Sequence, residues 1–113
     1  MGEVTELIED FQETMKTLKK EKREAIGDFQ SFMNSVLEEG ELDTKTKELV
    51  TLGTAITARC KYCIGLHTQS ALDAGATRDE ILEVALVAIM MGGGPALTYV
   101  TEVRKALEEF AEE

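Results

Sequence analysis

The sequence predicts an all-α protein of about six helices in a single domain. Its only proline is Pro95 among 113 residues, so few positions interrupt a helix. Apolar residues recur at spacings of three and four, whereas no alternating strand pattern persists. A chain of this length is most simply one domain with a thin hydrophobic core. We therefore expect one unit over residues 1–113, with N-terminal helices in residues 1–41 and a motif-bearing core in residues 42–100.

The first two predicted helices are amphipathic. Helix one covers residues 3–22, and helix two follows it and ends near Gly40. The apolar stripe of helix one consists of Val4, Leu7, Ile8, Phe11, Met15 and Leu18. The stripe of helix two consists of Ile26, Phe29, Phe32, Met33, Val36 and Leu37. Each stripe predicts one face that packs against the rest of the domain.

Helices three and four occupy the middle of the chain. Helix three is expected from about Thr44 to Arg59, and helix four begins around Cys60. Gly75 ends helix four, because glycine readily adopts the left-handed conformation of a C-terminal cap. These two helices carry the residues with the most distinctive chemistry.

Capping and breaking residues delimit the last two predicted helices. The stretch 77–80, Thr-Arg-Asp-Glu, has the form of a capping box and starts helix five over residues 78–91. The stretch 92–95, Gly-Gly-Gly-Pro, predicts a break. Pro95 then occupies a first-turn position and starts helix six, which runs through about Glu112.

Helix five is apolar on every side in its second half, VALVAIMM, rather than along one stripe. A small monomer has too little interior to bury such a helix completely. One side of it is therefore expected to contact another subunit or the N-terminal helices. The alternative is a central core helix within a single chain.

The charge balance argues against two classes of partner. The chain has 22 acidic and 12 basic residues and a net charge of −10. Nucleic acids and anionic membranes attract positive surfaces, so we expect neither as a partner. No apolar run approaches the ~20 residues that span a bilayer. The acidic start, MGEVTELIEDFQ, lacks the features of a secretory signal, and we therefore expect a cytoplasmic protein.

Both cysteines and the single histidine lie in the stretch ARCKYCIGLHTQ, residues 58–69. On one helix, Cys60, Cys63 and His67 are neighbours on the same face. Cys60 would lie at the helix N-terminus, where unpaired N–H groups lower the pKa of a thiol. His67 would lie one turn from Cys63, where an imidazole can accept a proton. This spacing favours a redox dithiol, in which one thiolate attacks and the other closes a disulfide.

Two other interpretations remain open on spacing alone. The two thiols and the imidazole are good zinc ligands, although the fourth ligand would have to be a carboxylate, water or another subunit. Free cysteines are also common as small buried residues without chemistry. Attachment of a c-type haem is excluded, because it requires a histidine directly after the second cysteine.

A wider pattern includes Glu48, twelve residues before Cys60 on predicted helix three. Taken by itself, Glu48 is better interpreted as an ordinary solvated helix residue than as a residue of the site. The combination Glu48-x11-Cys60-x-x-Cys63-x3-His67, followed by AL-x-AGAT-x-x-E-I over residues 71–81, is more specific. It resembles the AhpD-like family, which belongs to the carboxymuconolactone decarboxylase superfamily of small all-helical proteins.

The resemblance covers about residues 42–100 and implies a thiol-dependent alkylhydroperoxidase or disulfide reductase with the AhpD-like helical fold. It implies that Cys63 attacks the peroxide and that Cys60 is the resolving thiol. His67 and Glu48 would form a proton relay that activates the thiols. The helix-terminus argument instead favours Cys60 as the more acidic thiol. We assign the attack to Cys63, because His67 lies one turn from it.

Tyr62 departs from the family pattern, since the best-known members carry a histidine directly before the second cysteine. A tyrosine can pass a hydrogen bond, but its pKa of roughly 10 makes it a poor base near neutrality. Tyr62 is thus either a weaker relay residue or a packing residue that covers the site. Its presence suggests weak peroxidase activity or a different disulfide or oxidant as substrate. The decarboxylase branch acts on a lactone acid without this cysteine pair, and we do not expect that reaction.

The resemblance also implies partners. Substrates would be hydroperoxides or disulfides, in antioxidant defence, with no metal or organic cofactor. A thioredoxin-like or lipoyl-bearing protein would reduce the oxidised pair, and the chain would assemble as a homo-oligomer, a trimer or a hexamer. The alternative function is a non-enzymatic zinc-binding or redox-sensing oligomer that uses Cys60, Cys63 and His67.

Overall fold

The computed structural model describes residues 2–111 and confirms the all-α architecture. Its five helices are α1 (Glu3–Glu21), α2 (Arg23–Leu37), α3 (Thr44–Ala58), α4 (Lys61–Asp73) and α5 (Arg78–Phe110). No strand occurs within residues 2–111. Helices α3, α4 and α5 pack against one another, and α1 lies against α4 and α5. Helix α2 packs against α1 and, more lightly, against α3.

The main hydrophobic core lies between α3, α4 and α5. Its completely buried large side chains are Leu52, Ile56, Ile64, Ile81, Val103 and Leu107. A smaller cluster attaches α1 to the other helices and contains Val4, Ile8 and Ala106, with Leu66 and Phe110 at its edge. No residue of α2 is buried. The predicted apolar stripe of α2 is therefore only partly covered.

Predicted helices five and six together form α5, which is interrupted at Gly93. The capping box is confirmed, since Glu80 N–H donates to Thr77 Oγ1 at 3.1 Å and Thr77 N–H donates to Glu80 Oε1 at 2.8 Å. Gly93 has φ 69° and ψ −153°, a conformation essentially restricted to glycine. The backbone therefore kinks where the break was predicted, and Pro95 follows in the second half. Helix α5 ends at Phe110, and Glu112, the predicted end, lies outside the described residues.

The N-terminus of α1 is held by a side chain from the last turn of α5. The Glu109 carboxylate accepts hydrogen bonds from the backbone N–H groups of Val4 at 2.9 Å and Thr5 at 3.0 Å, and from the Thr5 hydroxyl at 2.9 Å. Lys105 donates to Glu3 at 2.6 Å. Since the first N–H groups of a helix have no partner within it, Glu109 acts as an N-cap supplied by another helix. We call Glu3, Thr5, Lys105 and Glu109 the α1 clasp.

Within residues 2–111, α5 is the one helix long and apolar enough to cross a membrane by length and composition. Core helices of soluble proteins pass the same test, and one side of α5 forms the core with α3 and α4. Only 22% of the residues in the apolar 18-residue segment of α5 are buried. The uncovered side chains include Leu86, Val87, Met90 and Met91. The N-terminal helices therefore leave these four side chains exposed.

Candidate active site

The two cysteines lie at the start of α4 and are joined in a disulfide, with their Cα atoms 5.2 Å apart. Cys60 is the N-cap residue of α4, and its sulfur accepts the N–H of Cys63 at 3.3 Å. Just before it, Arg59 ends α3 in the left-handed conformation, with φ 59° and ψ 45°. This residue turns the chain so that α4 can fold back against α3. The two sulfurs are adjacent, as the spacing predicted, and Cys60 lies at a helix N-terminus.

Glu48 of α3 and His67 of α4 form a buried pair. Glu48 Oε1 lies 2.8 Å from His67 Nδ1, and their side chains are 9% and 11% exposed. Taken alone, the sequence suggests that Glu48 is a solvated helix residue. Its burial shows that this is wrong. A carboxylate is buried at acceptable cost only when it is paired, and His67 supplies the partner. His67 also lies one turn after Cys63 on α4, so one member of the pair is on the helix that carries the cysteines.

The hydrogen bond to Glu48 determines which nitrogen of His67 is available for chemistry. An ionised carboxylate only accepts hydrogen bonds, so we assign the proton to Nδ1, which donates to Glu48. Nε2 is then the nitrogen that can accept or deliver a proton. An acid that orients a histidine beside a nucleophile is the arrangement of catalytic triads in general.

Tyr62 lies apart from this buried pair. Its side chain is 45% exposed. Together with Asp10, Phe11 and Thr14 of α1 it lines a pocket of about 250 Å³. The Glu48–His67 pair lies instead between α3 and α4. A relay role for Tyr62 stays a prediction.

An apolar pocket of about 160 Å³ reaches His67 from the side of α2. We call it the α2 pocket, and it is lined by Phe32, Met33, Val36 and Leu37 of α2, Thr51 of α3 and His67. The spacing of these α2 residues predicted a packing stripe and did not predict that they line a pocket. Their helical spacing is the same for packing and for lining a pocket, so the sequence carries no signal that separates the two.

The arrangement of the site bears on the zinc alternative. Among the residues that the structure describes, no group of three or more His, Cys, Asp or Glu side chains is arranged to hold a metal ion. The two sulfurs are bonded to each other, and Glu48 engages one nitrogen of His67. In this disulfide form the sulfurs do not serve as metal ligands, and the zinc alternative for the reduced protein stays a prediction.

Two curated relatives are similar to most of the chain. An uncharacterised protein of Cupriavidus necator is 37% identical over 86 residues, which are 76% of this chain and 74% of that protein. Uncharacterised protein 4 in the cox locus of Paracoccus denitrificans is 32% identical over 81 residues, which are 72% of this chain and 73% of that protein. Neither description assigns an activity.

Solved structures carry the same fold. A carboxymuconolactone decarboxylase family protein from Legionella pneumophila has a TM-score of 0.92 and 37% identity, over 96% of this chain and 97% of that one. A Thermotoga maritima family member, described as a candidate for a role in antioxidative response, has a TM-score of 0.83 and 28% identity, over 92% of this chain and 88% of that one. The model of the carboxymuconolactone decarboxylase family matches residues 24–106. The chain therefore belongs to the carboxymuconolactone decarboxylase family.

Proposed function

We propose that this protein is a thiol-dependent oxidoreductase that reduces hydroperoxides or disulfides by cycling Cys60 and Cys63 between dithiol and disulfide. The observation that carries the proposal is the Cys60–Cys63 disulfide at the start of α4, with the buried Glu48–His67 pair one turn further along. The Thermotoga relative with a candidate antioxidative role supports the same class of function.

With a hydroperoxide ROOH, the Cys63 thiolate attacks the terminal oxygen, and the O–O bond breaks. Cys63 becomes a sulfenic acid, and the alkoxide leaves as ROH with the proton that His67 took from the Cys63 thiol. The Cys60 thiol then attacks the sulfenic sulfur, which releases water and forms the disulfide. One turnover therefore consumes one hydroperoxide and two thiols and yields one alcohol, one water and one disulfide.

The N-cap position of Cys60 gives this residue a role in the return step. When an external thiol attacks the disulfide at Cys63, Cys60 leaves as a thiolate. A thiolate at a helix N-terminus is stabilised by the helix dipole and by N–H donors such as that of Cys63. A more acidic thiol is also a better leaving group. The acidity of Cys60 and the attack by Cys63 thus belong to two different halves of the cycle.

The cycle needs an external two-electron reductant. We propose a dithiol on a thioredoxin-like or lipoyl-bearing protein, which itself becomes a disulfide. Such partners operate where thiols are kept reduced, which fits a cytoplasmic enzyme. No metal or organic cofactor takes part in this scheme.

We also propose that the protein works as a homo-oligomer, a trimer or a hexamer. A groove of about 490 Å³ between α3 and α5 is lined by apolar side chains, among them Val50, Val87 and Met91. Met90 and Met91 are 72% and 75% exposed. Contiguous apolar surface of this kind is typical of protein interfaces, and a second copy of the chain is the occupant we infer.

The central experiment adds one equivalent of an organic hydroperoxide to the reduced protein and titrates free thiols, with metal content measured on the same sample. We expect both thiols to disappear together and to return on addition of a dithiol. Because the chain has only two cysteines, Cys60→Ser and Cys63→Ser each leave one thiol. Cys60→Ser should consume one equivalent of hydroperoxide and stop at a sulfenic acid, whereas Cys63→Ser should be inert. Thiols that stay unreactive until a chelator removes zinc would overturn the proposal.

A further inference from the structure

We infer that the α2 pocket binds the organic group of the substrate, and that the side chains of α2 determine which hydroperoxides react. The inference rests on the proposed function and adds a substrate class. That class is uncharged, apolar organic hydroperoxides, as opposed to hydrogen peroxide or hydroperoxides whose organic group carries a carboxylate.

The lining of the α2 pocket supports this class. Four of its six residues are apolar side chains of α2, and the other two are Thr51 and His67. The lining contains no lysine or arginine, so a carboxylate inside it would lose its hydration without gaining a cationic partner. The volume of about 160 Å³ corresponds to about five water-sized groups. A tert-butyl alkoxide has this number of heavy atoms, so a group of this size is enough to occupy the pocket.

The position of His67 in the lining orients the peroxide. In ROOH the oxygen bonded to carbon lies next to the organic group, and it becomes the leaving alkoxide. An organic group in the α2 pocket therefore brings that oxygen to the imidazole of His67. Cys63 lies one turn before His67 on α4, and the proposal requires the terminal oxygen to reach its thiol from there. His67 can thus deliver to the alkoxide the proton that it received from the thiol.

The α2 side chains are poorly explained by packing. No residue of α2 is buried, and Phe32 and Val36 are 64% and 49% exposed. Because the main core does not include these side chains, their substitution should leave the fold intact. Phe29 provides a matched control, since it is a phenylalanine of the same helix, is 56% exposed and does not line the pocket.

The kinetic test compares kcat/KM for tert-butyl hydroperoxide and for hydrogen peroxide. Phe32→Ala should lower the value for tert-butyl hydroperoxide by about 10-fold, the effect of losing a substantial apolar contact, and leave the value for hydrogen peroxide within about 2-fold. Phe29→Ala should change neither value. Equal effects of the two variants, or an equal loss for both peroxides in Phe32→Ala, would overturn the inference.

A binding test does not depend on turnover. tert-Butyl alcohol, the reaction product, is titrated into the protein while the methyl signal of Met33 and the ring signals of His67 are followed by NMR. We expect both to shift and Val36→Phe, which fills the pocket, to abolish the shifts. Unshifted signals at saturating alcohol would overturn the pocket assignment even in an active peroxidase. Shifts in a protein that turns over no hydroperoxide would instead support the pocket and overturn the proposed function.

Discussion

Among single residues, Glu48 shows most directly how burial and chemistry are linked. A carboxylate with 9% of its side chain exposed is tolerated because the imidazole of His67 satisfies it. The same bond holds the ring in one orientation and selects one tautomer. Glu48 is therefore a positioning residue, which acts on the thiols through His67.

Glu48→Gln tests this positioning role. The amide keeps the size of the side chain but removes its charge, and it can either accept from or donate to the ring. We expect kcat/KM for hydroperoxide to fall by about 100-fold, the lower end of what a general acid or base contributes. The ¹⁵N chemical shifts of the His67 ring should change from a single Nδ1–H tautomer to a mixture.

Glu83→Gln is the matched control, because Glu83 is an exposed acid on α5. It should retain the activity and the His67 signals of the unmodified protein. An active Glu48→Gln enzyme with unchanged ring shifts would show that Glu48 only contributes to packing.

At the scale of helices, α1 and α4 are in close contact at Gly65. A Cβ placed on Gly65 would lie 2.6 Å from Val4 Cγ1. Val4 is 1% exposed, and its β-branched side chain has little rotamer freedom with which to move away. Glycine at this position therefore permits the docking of α1.

Gly65→Ala should separate the two helices. Overpacking costs about 1–3 kcal/mol, and the better helix propensity of alanine offsets about 1 kcal/mol of it. We expect a net loss of about 1 kcal/mol in the free energy of unfolding, measured with urea.

Gly27→Ala on α2 is the control, since a Cβ there meets nothing within 4 Å. It should stabilise the protein by about 0.5–1 kcal/mol. If both alanines stabilise equally, Val4 moves without cost and the close contact does not limit the packing of α1.

The α1 clasp makes the docking of α1 sensitive to pH. Partial burial opposes ionisation of Glu109, but the hydrogen bonds from Val4 and Thr5 outweigh it and lower the pKa of this carboxyl. A lowered pKa in the folded state contributes stability above the unfolded pKa of about 4.3. That contribution disappears as the pH falls through the lowered value.

Glu109→Gln removes this titration. The variant should be less stable than the unmodified protein at pH 7, and the difference should shrink as the pH falls below about 4. Urea unfolding followed by circular dichroism at pH 7 and pH 3 measures both differences. Glu9→Gln, an exposed position of α1, should show no such trend. A difference that is the same at both pH values would contradict the role of the Glu109 charge.

At the scale of the whole molecule, the apolar groove between α3 and α5 is the surface that we propose a second copy of the chain covers. Met91 lines it and is 75% exposed. If a second copy covers it, a charge at this position is buried without a partner, which interfaces do not tolerate. Light scattering coupled to size-exclusion chromatography should then show an oligomer that Met91→Glu dissociates.

Leu42→Glu is the control for this experiment. Leu42 is also an exposed apolar residue, at 51%, but it lies between α2 and α3 and outside the groove. It should leave the mass unchanged. A monomeric unmodified protein, or one in which both variants have the same effect, would contradict the assembly.

The structural features that depend on local signals were predictable from the sequence. The capping box at Thr77, the N-cap position of Cys60 and the kink at Gly93 follow from neighbours within four residues, and all three are confirmed. The burial of Glu48 depends on a residue 19 positions away, and only the resemblance to a family drew attention to it. The clasp and the α2 pocket join residues from different helices, so neither has a local signature.

The clasp also affects the order in which the chain can fold during synthesis. Val4 and Glu109 are separated by 105 residues, so α1 leaves the ribosome long before its cap has been made. Until the last turn of α5 emerges, the N–H groups at the start of α1 are hydrated. The side chain of Val4 is then exposed to water or bound by a chaperone. A nascent chain in which Glu109 has not yet emerged therefore lacks the cap that completes the docking of α1.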